Sequence, residues 1–225
     1  MSSTITYSQH IYGQFMNAEV FRSKAYLYDM FQNDGKPIDE TIIDSNGKFS
    51  FKKTDYTLGF YRIQLKGEEP IIIVLNPTET DVEIQVNNQN DEKPITVLQS
   101  LENIAFHRHK MLMNIYNRIE YLQFQLSFPN DEVLQKIDEY ENELKKFIYY
   151  STVSLKDLQE NFSQTFTFDV LANTMPIINS SYEDRIERFF DNKAILDSKY
   201  LHSPLMFNKI SMYLNSSIWS FHAFD

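Results

Sequence analysis

The histidines of "FHRHK", His107 and His109, are where metal chemistry would first be sought. Imidazoles two positions apart on a helix point about 200° from each other, whereas helical zinc pairs use i, i+4 spacing on one face. The spacing therefore reads as a solvated helix face, and no metal or other cofactor is expected. His10, His202 and His222 stand alone, with no patterned carboxylate to orient a ring. Acid pairs such as Glu68-Glu69 and Asp39-Glu40 sit beside lysines in expected turns, where charge serves solubility. Glycoside hydrolysis needs two acids at a set separation across a cleft, and no spacing in the chain implies one. With zero Cys, thiol catalysis, disulfides and thiolate metal sites are excluded from this polypeptide. The five glycines form no phosphate-cradling loop, and no serine stands in a nucleophile elbow. No catalytic residue is assigned.

Aromatic residues are the other chemical resource, at 15% of the chain with 14 Tyr and 18 Phe. Tyr26, Tyr28, Tyr56 and Tyr61 could form a stacking platform for a glycan; the plainer reading has them packing across strands or against the helical half. Phe189, Phe190, Trp219, Phe221 and Phe224 crowd the last part of the sequence and require cover. Phe189, Phe190, Trp219 and Phe221 form the candidate partner interface, filled by the chain's own helices, by a protein partner or by a further domain. A formal charge of −10 and a pI near 5.0 oppose nucleic-acid binding, which rests on a basic surface that releases counterions.

The elements that must position these residues fall into two groups. From Thr4 to about Val86 the apolar period is two: "KAYLYDM" sets Ala25 and Leu27 opposite Tyr26 and Tyr28, and "YRIQL" sets Tyr61, Ile63 and Leu65 opposite Arg62 and Gln64. "IIIVL", Ile71 to Leu75, is continuous and β-branched, as in a strand covered on both faces, and "DVEIQV" alternates again. Asn33-Asp34-Gly35, Asn46-Gly47, Lys66-Gly67 and Asn76-Pro77 separate the strands, with Asn46-Gly47 suited to a type I′ hairpin. The fold class is therefore α+β: an N-terminal antiparallel β-sandwich over 1–90, followed by an all-helical domain over 91–225. The polar stretch "NNQNDEKP", Asn87 to Pro94, is the boundary.

Beyond it Leu98, Leu101, Ala105, Leu112, Ile115, Ile119, Leu122 and Leu126 follow one helical stripe, broken at Arg108 and closed at Pro129. A second helix starts at Asn130 or Asp131 and carries Leu134, Ile137, Leu144, Ile148, Ser151, Leu155, Leu158 and Phe162. Two long antiparallel helices should pack together. A shorter segment runs from Phe166 to Met175; Ser180 or Ser181 then caps "YEDRIERFF", and Ser203 caps a last helix with Pro204 at its first position. The opening "MSSTITYSQHIYGQF" has no basic start followed by an apolar run, so no signal peptide is expected in it. No stretch approaches the ~18 apolar residues of a membrane span, and the expectation is a soluble chain.

The elements "LY", "NGKFSF" and "GFYRI" within "KAYLYDMFQNDGKPIDETIIDSNGKFSFKKTDYTLGFYRIQL" carry a resemblance. Over residues 5–90 the chain resembles the domain of unknown function that precedes thioredoxin-like (AhpC/TSA, TlpA-type) domains in Gram-negative envelope proteins. "EDRIERFFDNKAILDSKYLHSPLMFNKISMYL" is similar to the helical linker domain of the same proteins. The resemblance implies export, commonly as a lipoprotein, to the periplasm or cell surface; the chain as written, without a leader, would be cytoplasmic. The family's redox CxxC lies on the downstream domain, and no residue here matches it. The expected function is a non-catalytic accessory module acting by protein contact. The alternatives are the front part of a thiol:disulfide oxidoreductase and a glycan-binding module.

Overall fold

The computed structural model describes residues 9–30, 35–52, 55–79, 81–87 and 95–174, with positions 203, 204, 206, 210 and 211. Eight strands come first: β1 His10–Phe15, β2 Lys24–Asp29, β3 Asp39–Ile42, β4 Lys48–Ser50, β5 Gly59–Leu65, β6 Ile71–Leu75, β7 Asp81–Val86 and β8 Ile95–Gln99. Helices follow: α1 Leu101–Ser127, α2 Asp131–Gln135, α3 Ile137–Phe162 and α4 Phe166–Thr174, and the described positions 204, 206, 210 and 211 are helical as well. The strands form two four-stranded sheets, ordered β4-β1-β7-β8 and β3-β2-β5-β6. The α+β class is as the periodicity indicates.

One apolar core draws on both sheets: Ile11, Phe15 and Ile84 from the first, Leu27, Ile63 and Ile73 from the second. The second sheet is apolar on its other face as well. Phe60 of β5 and Val74 of β6 join Phe106, Leu112, Leu158 and Val170 in a separate cluster with the helices. This explains the unbroken run of β6, whose Ile71, Ile73 and Leu75 serve one core while Val74 serves the other. Tyr61 is 1% exposed, and its hydroxyl donates to the Thr57 carbonyl at 2.9 Å and accepts from the Thr57 N–H at 3.2 Å. That bond ties the start of β5 to the turn before it.

Three strand-level expectations need correction. Five of the six strand pairings are antiparallel, but β1 and β7 run parallel, with Ile11 opposite Val82 and Gly13 opposite Ile84. Period-two patterning is the same in either direction, so the pattern carries no orientation. Gly13 is required there because a Cβ would stand 2.0 Å from the Ile84 carbonyl oxygen. Second, Asn46-Gly47 does not close a type I′ hairpin: Gly47 has φ +80° while Asn46 is not among the positive-φ residues, and the turn connects β3 and β4, which belong to different sheets. The Asp44 carboxylate organises it by accepting from the Asn46 and Lys48 N–H groups at 2.7 and 2.8 Å. Third, β8 lies beyond the polar stretch 87–94 and pairs antiparallel with β7. Leu98 is therefore a strand residue, 54% exposed, and the helix starts later.

In the helical half, α1 and α3 pack antiparallel. Arg118 of α1 makes a forked pair with Glu143 of α3, with bonds of 2.8 to 3.0 Å. Further back, Arg108, where the apolar stripe breaks, pairs with Asp157 and lies 5.1 Å over the Phe162 ring. The second helix is not continuous. Asn130 caps α2 by accepting the Val133 N–H at 2.9 Å, and the chain breaks at Lys136 (φ −122°, ψ 23°) before α3. Val133, five full turns before the buried Ser151, faces inward at 1% exposure, and Leu134, about 100° further round, is turned out at 54%. Among the described residues no helix is long and apolar enough to cross a membrane.

Candidate functional site

The sheets and helices meet at a buried polar joint. Ser100, the N-cap of α1, holds φ 118° and ψ 116°, a region that residues other than glycine rarely adopt. Its hydroxyl is what this geometry serves: it accepts from the Asn103 N–H at 3.1 Å and from Asn103 Nδ2 at 2.8 Å, and donates to Glu79 Oε2 at 2.7 Å. Asn103 is fully buried. Its Oδ1 accepts from the Val74 N–H at 2.8 Å and its Nδ2 donates to the Val74 carbonyl at 2.7 Å. Because β6 is the last strand of its sheet, a side-chain amide takes the place of a neighbouring strand at that residue.

Two carboxylates complete the joint, each at a helix N-terminus where the dipole favours an anion. Glu79, from the β6–β7 loop, accepts the Glu102 N–H at 3.0 Å at the start of α1. Glu102 in turn accepts the Phe166 and Thr167 N–H groups at 2.9 and 2.8 Å, at the start of α4, and Asn76 Nδ2 at 2.8 Å. Burial pushes the Glu79 carboxyl up, and its bonds to Ser100 and Glu102 pull against that shift. All four carboxylate oxygens are engaged by donors, so the joint fastens three chain segments and presents neither a free base nor a nucleophile. These residues were invisible as a set in the sequence. The one local signal was Ser100 three residues ahead of an amide at the first turn of α1.

The histidines are not on a solvated face. His109 is 2% exposed, and among the described residues neither of its ring nitrogens nor the buried Nε2 of His107 has a hydrogen-bond partner. Burial pushes His109 down to about 3; burial and then Lys110 push His107 down to about 4. His109 lies four residues after Ala105 and three before Leu112, both buried, and this spacing was the signal for its place on the inner stripe. Among the described residues no three His, Cys, Asp or Glu side chains are grouped to hold a metal ion.

Asp39 and Glu40 open β3 and do not occupy a turn: Asp39 accepts the Lys52 N–H at 2.8 Å, and Glu40 pairs with Lys24 at 2.7 Å. The four tyrosines do not share a face. Tyr56 and Tyr61 are core residues with ring centroids 5.9 Å apart, whereas Tyr26 and Tyr28 alternate with core residues on β2, and Arg62 lies 4.7 Å over the Tyr28 ring. Phe189, Phe190, Trp219, Phe221 and Phe224 lie outside the described residues.

What the described surface offers instead is the turn of the helical hairpin. Tyr121 (44% exposed), Phe128 (60%), Leu134 (54%) and Ile137 (38%) project there, with the Phe128 ring 5.5 Å from that of Phe124. Single exposed apolar residues are ordinary; five in a span of 17 residues at one turn, counting Phe124 at 47%, are not. In comparisons with known proteins, no family model, no curated protein and no solved structure matches the chain.

Proposed function

We propose that this chain is a non-catalytic interaction module that works by contact through the end of its α1–α3 hairpin. The observation that carries the reading is the exposure of Tyr121, Phe128, Leu134 and Ile137 near the turn of a well-anchored helix pair. Covering such side chains stabilises a complex at roughly 25 cal/mol per Å² without any active site. The polar clusters that could have done chemistry are spent on structure: the Glu79 and Glu102 carboxylates cap helices, and the buried His109 ring has no hydrogen-bond partner among the described residues. We also infer that the two sheets face each other as a sandwich, supported by the single core to which both contribute and by the Tyr61 hydroxyl tie, a device that sandwich folds use at strand corners. An envelope setting, in front of a thioredoxin-like domain, rests on the resemblance of the "NGKFSF" and "GFYRI" elements.

The test is a photo-crosslinking residue at position 128, with a second at exposed position 48 on β4 as control. In cells that produce the chain natively, position 128 should yield one dominant adduct that position 48 does not. Equal adducts at both positions, or none at 128, would refute the contact reading, as would substrate turnover mapped to a described side chain.

A further inference from the structure

We infer that the occupant of the hairpin end is a basic amphipathic helix of another protein, an inference that rests on the contact reading above and specifies its partner. The argument is charge. Between Tyr121 and Glu143 the chain carries six acids, Asp131, Glu132, Asp138, Glu139, Glu141 and Glu143, against a single cation, Lys136. Lys136 is engaged by Glu132 at 3.2 Å, Arg118 from outside the span takes Glu143, and Lys145 stands 3.9 Å from Glu141. Asp131, Asp138 and Glu139 make no ion pair among the described residues, and all three are exposed.

Asp131 and Asp138 stand in the first turns of α2 and α3, where the backbone dipole favours anions. That accounts for their position along the chain, and it leaves exposed charge in the same short stretch as the exposed Phe128, Leu134 and Ile137. An apolar patch edged by acid selects a ligand with the complementary pattern: apolar side chains at i, i+3 and i+4 for the patch, with Lys or Arg on the flanks for the acids. The same field repels anionic lipid surfaces, nucleic acid, and the identical patch of a second copy, so a basic helix is the occupant that satisfies both features. Attraction across exposed charges is screened over about 8 Å at physiological salt, so binding should weaken as salt rises.

The test uses the full chain and two synthetic peptides of 18 residues or so, one built from Leu and Lys at helical spacing and the other with Glu in place of Lys. Fluorescence anisotropy should show binding of the basic peptide alone, weakened at least tenfold at about 0.5 M salt. The D131N/D138N/E139Q chain should bind it at least tenfold more weakly, and F128S/L134S/I137S should abolish binding. E40Q/E69Q/E160Q, which removes the same net charge elsewhere on the surface, should change affinity less than twofold. Circular dichroism and the thermal midpoint verify that each variant stays folded; the substituted side chains are exposed. Equal weakening by both charge variants, or preference for the acidic peptide, overturns the inference. So does binding of anionic phospholipid vesicles, or a dimer in light scattering that F128S/L134S/I137S dissociates. If the position-128 crosslink forms but the basic peptide fails to bind, the basic-helix inference falls and the contact reading stands; if neither occurs, both fall.

Discussion

Replacing Asn103 by Ala tests the joint at its most exacting point. The side chain satisfies both backbone groups that Val74 presents at the open side of β6, and both lie in a region closed to water. A buried donor or acceptor left unsatisfied costs about 1–3 kcal/mol, so losing both partners should cost roughly 2–6 kcal/mol, before the lost bond to Ser100 is counted. In urea, where small domains show slopes of ~1–3 kcal/mol per M, the unfolding midpoint read by far-UV circular dichroism should fall by about 1 M or more. Native-state hydrogen exchange gives the local reading: the Val74 amide should lose its protection in N103A while the amides paired between β2 and β5 keep theirs. N103D separates the two bonds. Its carboxylate still accepts from the Val74 N–H but opposes the Val74 carbonyl, and when protonated it donates to that carbonyl. Stability of N103D relative to N103A should therefore rise as pH falls from 7 to 5. A midpoint for N103A within about 0.3 M of the parent, or unchanged exchange at Val74, would refute the assignment of Asn103 as the missing neighbour of β6.

Other perturbations follow from the same structure. His109 is depressed from 6.5 to about 3 by burial, so the unfolded chain binds a proton that the folded one does not between those values. Stability should fall as pH drops below 6.5, by up to about 1.4 kcal/mol per pH unit for this ring. H109L should remove that slope, measured as the difference between the urea midpoints of variant and parent at pH 7 and pH 5; parallel curves would show that the ring is not buried neutral. Gly13→Ala puts a Cβ 2.0 Å from the Ile84 carbonyl oxygen and should force β1 and β7 apart, at a cost of about 3 kcal/mol or more, visible in the thermal midpoint. Tyr61→Phe keeps the ring in the core and removes the bonds to Thr57, so a loss of about 1–3 kcal/mol is expected in the same assay.

How far the sequence could be read depends on which quantity each pattern encodes. Alternation encodes the face a side chain occupies, and there the reading holds: Tyr61, Ile63 and Leu65 point to the core, and the run at Ile71 to Leu75 divides between two cores. It does not encode strand direction or the partner strand, which is why the parallel pairing of β1 with β7 and the crossing of the Asn46-Gly47 turn between sheets were not legible. Helical spacing was legible over α1 and α3 and overran at the ends. Leu98 stands three residues before Leu101, which fits a helix, yet the cap at Ser100 places it in β8. Polar residues were read with their usual preference for water, and His109, Asn103 and Glu102 each go against it. Asn103 and Glu102 are inside because their partners are backbone groups more than 25 residues away in sequence, contributed by Val74 and by the start of α4.

The hairpin end shows why the candidate surface could not be placed in advance. Sequence periodicity put Leu134 and Ile137 on the inner stripe of one continuous helix, together with Leu144 and Ile148. The buried residues of α3 set a different phase: Val133 stands five full turns before Ser151, so the inward position belongs to it, and Leu134 lies about 100° further round the helix. Leu134 is therefore turned out, in the stretch that also carries the exposed Asp131, Asp138 and Glu139. The stripe drawn through Leu134 and Ile148 was off the true inner face, which runs through Val133, Ser151 and Leu158. L134S alone should therefore weaken basic-peptide binding at little cost in stability, without removing any acidic side chain, and an unchanged affinity would take Leu134 out of the contact surface.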